Sequence, residues 1–210
     1  MSDYMVLAAV SDALRRILWE AYNADPVVRS IVGSDAAIVF GNPTETARDS
    51  SNRLSVWLYQ ITENEYVKNQ PRVRAAQPPP PPPPGQSGRE VMQLPPLALN
   101  LSFLVTPFAP TARGDHILLG KTMQVLYDNA IILLQDMVSN ISEELRLIFC
   151  RLSLEELTRI WEALREPYRL SVCYLIRVTR IDSLRQPEHA RVVERLAGFS
   201  GDPLGIASGI

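Results

Sequence analysis

The sequence predicts an α+β fold in which helices pack on a mostly antiparallel sheet, with a proline-rich insert and a C-terminal tail added to it. Three observations carry this: apolar stripes at helical spacing near the N-terminus and mid-chain, alternating strand-like runs between them, and a helix–turn–strand unit over 152–183. Hydrophobic residues make up 46% of the 210 and charged residues 21%, which suits one globular domain with its own core rather than a disordered chain. The expected organisation is a domain over 1–183, interrupted by a loop at 72–89, and a tail over 184–210.

The first helix is expected over Met5 to Tyr22. Ser2 or Asp3 can cap it, and Met5, Val6, Ala9, Val10, Ala13, Leu14, Ile17 and Leu18 form its apolar stripe. A short helical piece follows around Val27 to Val32, then a brief strand at Ala37 to Phe40. In Leu54 to Ile61, Leu54, Val56 and Leu58 alternate with Ser55, Trp57 and Tyr59. Both faces of this strand are largely apolar, so both are expected to be covered, one by the chain's helices and the other by a partner subunit. Trp57 and Tyr59 on the second face are therefore candidate interface residues.

Residues 72–89 are low in complexity and contain seven consecutive prolines, Pro78 to Pro84. Proline has no donor and a fixed φ, so this stretch is expected to stay out of the sheet. It should run as a solvated polyproline II rod, at ~3.1 Å per residue roughly 20 Å long. Such a rod is a ligand type for aromatic-lined grooves, which makes Pro78 to Pro84 a second candidate contact. The flanking Gln77 and Gly85-Gln86-Ser87-Gly88 and the lack of arginine inside the run favour a stiff spacer.

Leu97, Leu99, Leu101, Phe103 and Val105 alternate with Ala98, Asn100 and Ser102, the pattern of a half-buried strand. Helical periodicity returns over Ile117 to Leu134, with Gly114-Asp115 at its start, and Glu144 to Leu152 is strand-like. Ser153 and Glu156 form a capping box that opens a helix with Leu154, Leu157, Ile160, Trp161 and Leu164 on one face. The Glu166-Pro167 step ends that helix, and a strand follows over Arg169 to Ile181. In the tail, Val192, Val193, Leu196 and Phe199 recur at helical spacing within His189 to Phe199 and make an apolar edge that calls for a partner.

Composition also bounds the function. No run approaches the roughly 20 apolar residues that span a bilayer, and Asp3 stands where a signal peptide would carry positive charge. The expected location is the cytoplasm until assembly. A net charge of −2 with interleaved signs gives no electrostatic footprint for nucleic acid. Cys150 and Cys173 sit in apolar strand-like runs and are expected to be buried thiols; neighbouring strands would let them pair, but cytoplasmic redox poise opposes a disulfide. His116 and His189 are far apart and no ligand spacing is visible, so no metal is expected. Asp115-His116 reads as a helix cap beside a surface histidine, and Glu155-Glu156 as a solvated pair with a capping role. Gly85-Gln86-Ser87-Gly88 lacks the lysine of a phosphate loop, and Trp19, Trp57 and Trp161 suit packing or an interface better than a cofactor box. No catalytic residue and no cofactor are assigned.

The unit LSLEELTRIWEALREPYRLSVCYLIRVTRIDS at 152–183 resembles the C-terminal signature of the cap, or tail-terminator, proteins of contractile injection systems. The segments SDYMVLAAVSDALRRIL, RLSVWLYQITEN, LALNLSFLVT and LLGKTMQVLYDNAII resemble, in order, that family's opening helix, first long strand, next strand and central helix. Two departures stand out. Pro107-Phe108-Ala109-Pro110 replaces a polar, glycine-containing turn, and the tail after Ser183 has no counterpart in the pattern. The resemblance implies a structural, non-enzymatic protein that forms a homohexameric ring on tube and sheath at the end distal to the baseplate. It further implies that the ring ends polymerisation, holds the sheath extended and remains part of a particle that is released. A monomeric adaptor on the baseplate side, or for effectors, using the polyproline arm as a ligand is the alternative.

Overall fold

A computed structural model describes residues 4–48, 52–66, 73–74, 90–93, 95–135, 142–181 and 188–190. In chain order its elements are α1 (Val6–Ala24), α2 (Pro26–Ile31), β1 (Ile38–Val39), α3 (Pro43–Ala47), β2 (Arg53–Glu63), β3 (Val73–Arg74), β4 (Glu90–Gln93), β5 (Leu97–Phe108), α4 (Ala112–Asp128), β6 (Ile131–Gln135), β7 (Ser142–Cys150), α5 (Leu154–Leu164), β8 (Val172–Ile181) and β9 (Glu188–Ala190). They fall into two compact units, Met1–Pro71 with Pro95–Leu184, and Arg72–Leu94 with Arg185–Ile210.

The first unit is the expected α+β layer pair. Its sheet has the order β1-β2-β5-β8-β7-β6, and every pairing is antiparallel except β1 with β2. Val10, Leu14 and Leu18 of α1, Val28 of α2 and Leu118 and Val125 of α4 meet Leu54 and Val56 of β2, Leu101 and Phe103 of β5, Ile176 of β8 and Leu145 of β7 in one core. Polar groups at helix ends are satisfied locally. The Asp25 carboxylate accepts from the amides of Val27 (3.0 Å) and Val28 (3.3 Å) at the start of α2 and lies 3.6 Å from the Lys121 ammonium of α4. The Val28 amide is the main cause that holds this carboxyl below the usual carboxylate range. Inside the core, Thr122 donates its hydroxyl proton to the Leu118 carbonyl (2.7 Å), so the Tyr22 hydroxyl must donate to Thr122. Burial pushes the Tyr22 hydroxyl pKa well up.

Several boundaries differ from the sequence expectation. The helix expected over Ile117 to Leu134 ends at Asp128, and Ile131–Gln135 is a strand paired with β7. Asn129 returns its side chain to the Val125 carbonyl at 2.9 Å and closes the helix, after which alternation takes over: Ile132 is buried and Ile131 and Leu133 are exposed. The same helix starts earlier than Gly114-Asp115, because Thr111 caps it by accepting from the Gly114 amide at 3.1 Å. Asp115 instead accepts from the Ala109 amide at 2.7 Å, and a Cβ on Gly114 would come within 2.8 Å of the Ala109 Cβ. β5 is not half-buried: from Ala98 to Phe108 every residue but Asn100 is buried, and Ser102 and Thr106 are buried with the leucines. The capping box of α5 is present as expected, with the Ser153 amide donating to Glu156 Oε2 at 2.7 Å and the Glu156 amide to Ser153 Oγ at 3.2 Å.

The second unit contains a small antiparallel sheet, β3-β4-β9, in which Val73 pairs with Gln93, and Val91 with His189. The expectation that 72–89 stays out of any sheet therefore fails at Val73–Arg74, which precede the prolines and keep their backbone donors. The helical piece expected from His189 likewise gives way at Glu188–Ala190, where backbone pairing to β4 replaces it.

Candidate functional site

The helix-covered side of the large sheet leaves the opposite side to be accounted for. Cross-strand register places Trp57, Leu104, Cys173 and Cys150 in one row across β2, β5, β8 and β7. Ser102, Leu175 and Ile148 form the neighbouring row, and Ile131 and Leu133 continue the face on β6 opposite Arg146 and Glu144. One end of this face is roofed by α3 and α5: Trp161, Phe108, Pro43 and Arg169 line one small cavity there, with the Arg169 guanidinium 4.6 Å above the Phe108 ring. The Tyr168 ring stands edge-on to Trp161 at 6.5 Å.

Away from that end, no described helix covers the face. It is roofed by its own aromatic side chains. Tyr59 sits where the β2–β5 register shifts between Leu58 and Gln60, and its hydroxyl reaches past β5 to lie 3.3 Å from the Cys173 sulfur on β8. Trp57 packs beside it with ring centroids 6.1 Å apart. This cover leaves Leu104 fully buried while Trp57 and Tyr59 are half-buried. Further out the cover stops: Ile131 and Leu133 are each 58% exposed and Ile148 is 36% exposed. Burial pushes the Tyr59 hydroxyl up and the Cys173 thiol up to about 12, so both groups stay neutral at physiological pH. The Arg146 guanidinium lies 3.0 Å from Glu144, leaving an ion pair beside the apolar strip. Such a surface binds by area and shape, through aromatic and aliphatic contacts.

Of the sequence-predicted contacts, the structure brings Trp57 and Tyr59 together on this face. Pro78, Pro84, Val192, Val193, Leu196 and Phe199 lie outside the described residues. Ile131, Leu133 and Ile148 belong to the face without having been expected there. For Ile131 and Leu133 the signal was the Asp128-Asn129 helix stop followed by the β-branched pair Ile131-Ile132. His116 is exposed on α4, and Asp115 points its carboxylate to the Ala109 amide and Arg169. Among the described residues, no cluster of three or more metal-ligating side chains occurs and no helix is long and apolar enough to cross a membrane.

The fold resembles the sheath/tube terminator, in its extended state, of the extracellular contractile injection system PVC, solved by cryo-EM. The TM-score is 0.59 at 18% identity over 95% of this chain. The chain spans 65% of the length of that terminator. The tube-terminating cap of the anti-feeding prophage aligns over 71% of this chain and 50% of its own, with 18% identity and a TM-score of 0.47. No curated protein sequence matches. Residues 9–195 match the Pvc16 N-terminal domain, a span that runs beyond Ser183, where sequence patterning offers no counterpart, and takes in β9. With the whole six-stranded sheet inside that span, the chain belongs to the Pvc16 N-terminal domain family.

Proposed function

We propose that this chain is a structural cap of a contractile injection system, a tail terminator that forms a ring on the distal end of inner tube and sheath. The observation that carries the proposal is the sheet face bearing Trp57 and Tyr59, on which Ile131, Leu133 and Ile148 are exposed on the neighbouring strands β6 and β7. The terminator-like fold supports it. In this role the chain acts by geometry rather than catalysis. Head-to-tail contacts between copies close into a ring, six-fold to match tube and sheath, so that one side accepts the last layer and the other offers no site for the next. Binding the extended arrangement of the sheath in preference to the contracted one stabilises the extended state. The partners are then further copies of the chain, the sheath protein and the tube protein. Assembly takes place in the cytoplasm, and the cap leaves with any particle that is released.

Deleting the gene is expected to give tubes and sheaths of irregular length, or sheaths already contracted, in negative-stain images. Restoring Leu133→Arg in place of the wild type should leave the melting temperature of the purified chain unchanged, because the residue is exposed, and fail to rescue particle length. Uniform, extended particles from the deletion strain would refute the cap role, and full rescue by Leu133→Arg would remove the face from it.

A further inference from the structure

The sequence lets Cys150 and Cys173 pair only if their strands are neighbours, and the β7–β8 register sets the two free cysteines directly opposite each other. Both lie in the row that also holds Trp57 and Leu104, on the sheet face opposite the α1 and α4 core. Residues opposite in an antiparallel pair have Cα atoms about 4.5–5.5 Å apart, inside the roughly 4.4–6.8 Å range that a disulfide bridges. After burial, the nearby Cys150 thiol adds to the upward push on the Cys173 thiol. Their accessibility is unequal: Cys173 is buried beneath Tyr59, whereas Cys150 is partly exposed at the end of β7.

We propose that Cys150 and Cys173 are a redox modification site, a dithiol that small-molecule disulfides convert into a cross-strand disulfide. The Cys150 thiolate attacks one sulfur of the disulfide and displaces the first small thiol, leaving a mixed disulfide on Cys150. Cys173 then gives up its proton and attacks the Cys150 sulfur, displacing the second small thiol. The two cysteines lose two electrons and two protons, which end on the two small thiols. Burial keeps Cys173 protonated, so the second step is the slow one.

The bond is reversible by construction. Opposed Cβ atoms in a sheet stand about 4.5–5.5 Å apart, close to the roughly 3.5–4.5 Å of a disulfide, so a small adjustment of the two strands closes the bond, and small thiols in excess reopen it by the same exchange in reverse. It also closes the 151–172 connection that carries α5. A thiol-rich compartment therefore leaves the pair open, and a compartment supplied with disulfides closes it. This inference stands apart from the cap role, because it concerns the isolated chain.

The test is to incubate the purified full chain with oxidised glutathione, then map non-reduced peptides by mass spectrometry and record melting curves with and without dithiothreitol. The expected product is an intramolecular Cys150–Cys173 peptide pair with the loss of two hydrogens. Closing a loop of this length should raise the melting temperature by roughly 5–10 °C, a gain that dithiothreitol abolishes. Cys150→Ser, which alters only a partly exposed position, should fold, give no such pair and show no shift. The proposal is overturned if Cys150 holds a persistent glutathione adduct beside a free Cys173, if the bond forms between chains, if both thiols stay free, or if the pair closes without any rise in melting temperature.

Discussion

Trp161 is 2% exposed, the one residue of α5 that is fully buried, and its indole Nε1–H has no hydrogen-bond partner among the described residues. The ring therefore holds α5 in place by area alone, against Phe108, Pro43 and the edge of Tyr168. Trp161→Ala is expected to destabilise the chain by about 3–5 kcal/mol in chemical denaturation, since it leaves a cavity where little can collapse. Trp161→Phe should cost clearly less, because it keeps most of the volume and deletes the unpartnered donor. An Ala variant that unfolds at the wild-type midpoint would mean that α5 is not anchored there.

Among the elements, α5 also gives the clearest pH signal. The Ser153 amide, and then its hydroxyl, hold the Glu156 carboxyl below the usual carboxylate range. A depressed carboxyl stabilises the fold above its unfolded value, about 4.3, and loses that contribution as pH falls through the folded value. Glu156→Gln should therefore melt below wild type at pH 7, with the gap closing in melts below about pH 4. Ser153→Ala removes the acceptor of the Glu156 amide and is expected to cost about 1 kcal/mol at neutral pH. The capping box could be read locally because both partners lie within one turn. The α4–β6 boundary could not, since Ile132 and Leu133 continue the seven-residue spacing of Leu118, Leu119, Val125 and Leu126, and only β7, across the hairpin, makes the second run a strand. For the same reason the alternation in β5 concealed its burial: whether Ser102 and Thr106 meet solvent depends on Tyr59 and Ser171, which distant segments supply. Trp57 and Tyr59 were legible as interface candidates from their own strand, whereas the pairing of Cys150 with Cys173 is a register property that no local pattern holds.

For the molecule as a whole, the division into two units locates the proline-rich insert. Among the described residues, the core cluster of the six-stranded unit is built from Val10 to Val56 and from Leu99 to Ile176, on either side of the insert. Replacing residues 77–88 with a short Gly/Ser turn is therefore expected to leave the melting temperature unchanged. A marked drop would show that the prolines contribute to the fold itself. The strand order has a consequence for how the chain is made. β5 lies at the centre between β2 and β8, and β8 alone joins it to β7 and β6. A chain emerging from the ribosome builds β2 and β5 early, yet the β6–β7 hairpin has no strand to connect it to them until Ile181 has been added. The face across β2, β5, β8, β7 and β6 thus comes into being in a single late step, so an unfinished chain has no complete surface to offer a growing polymer.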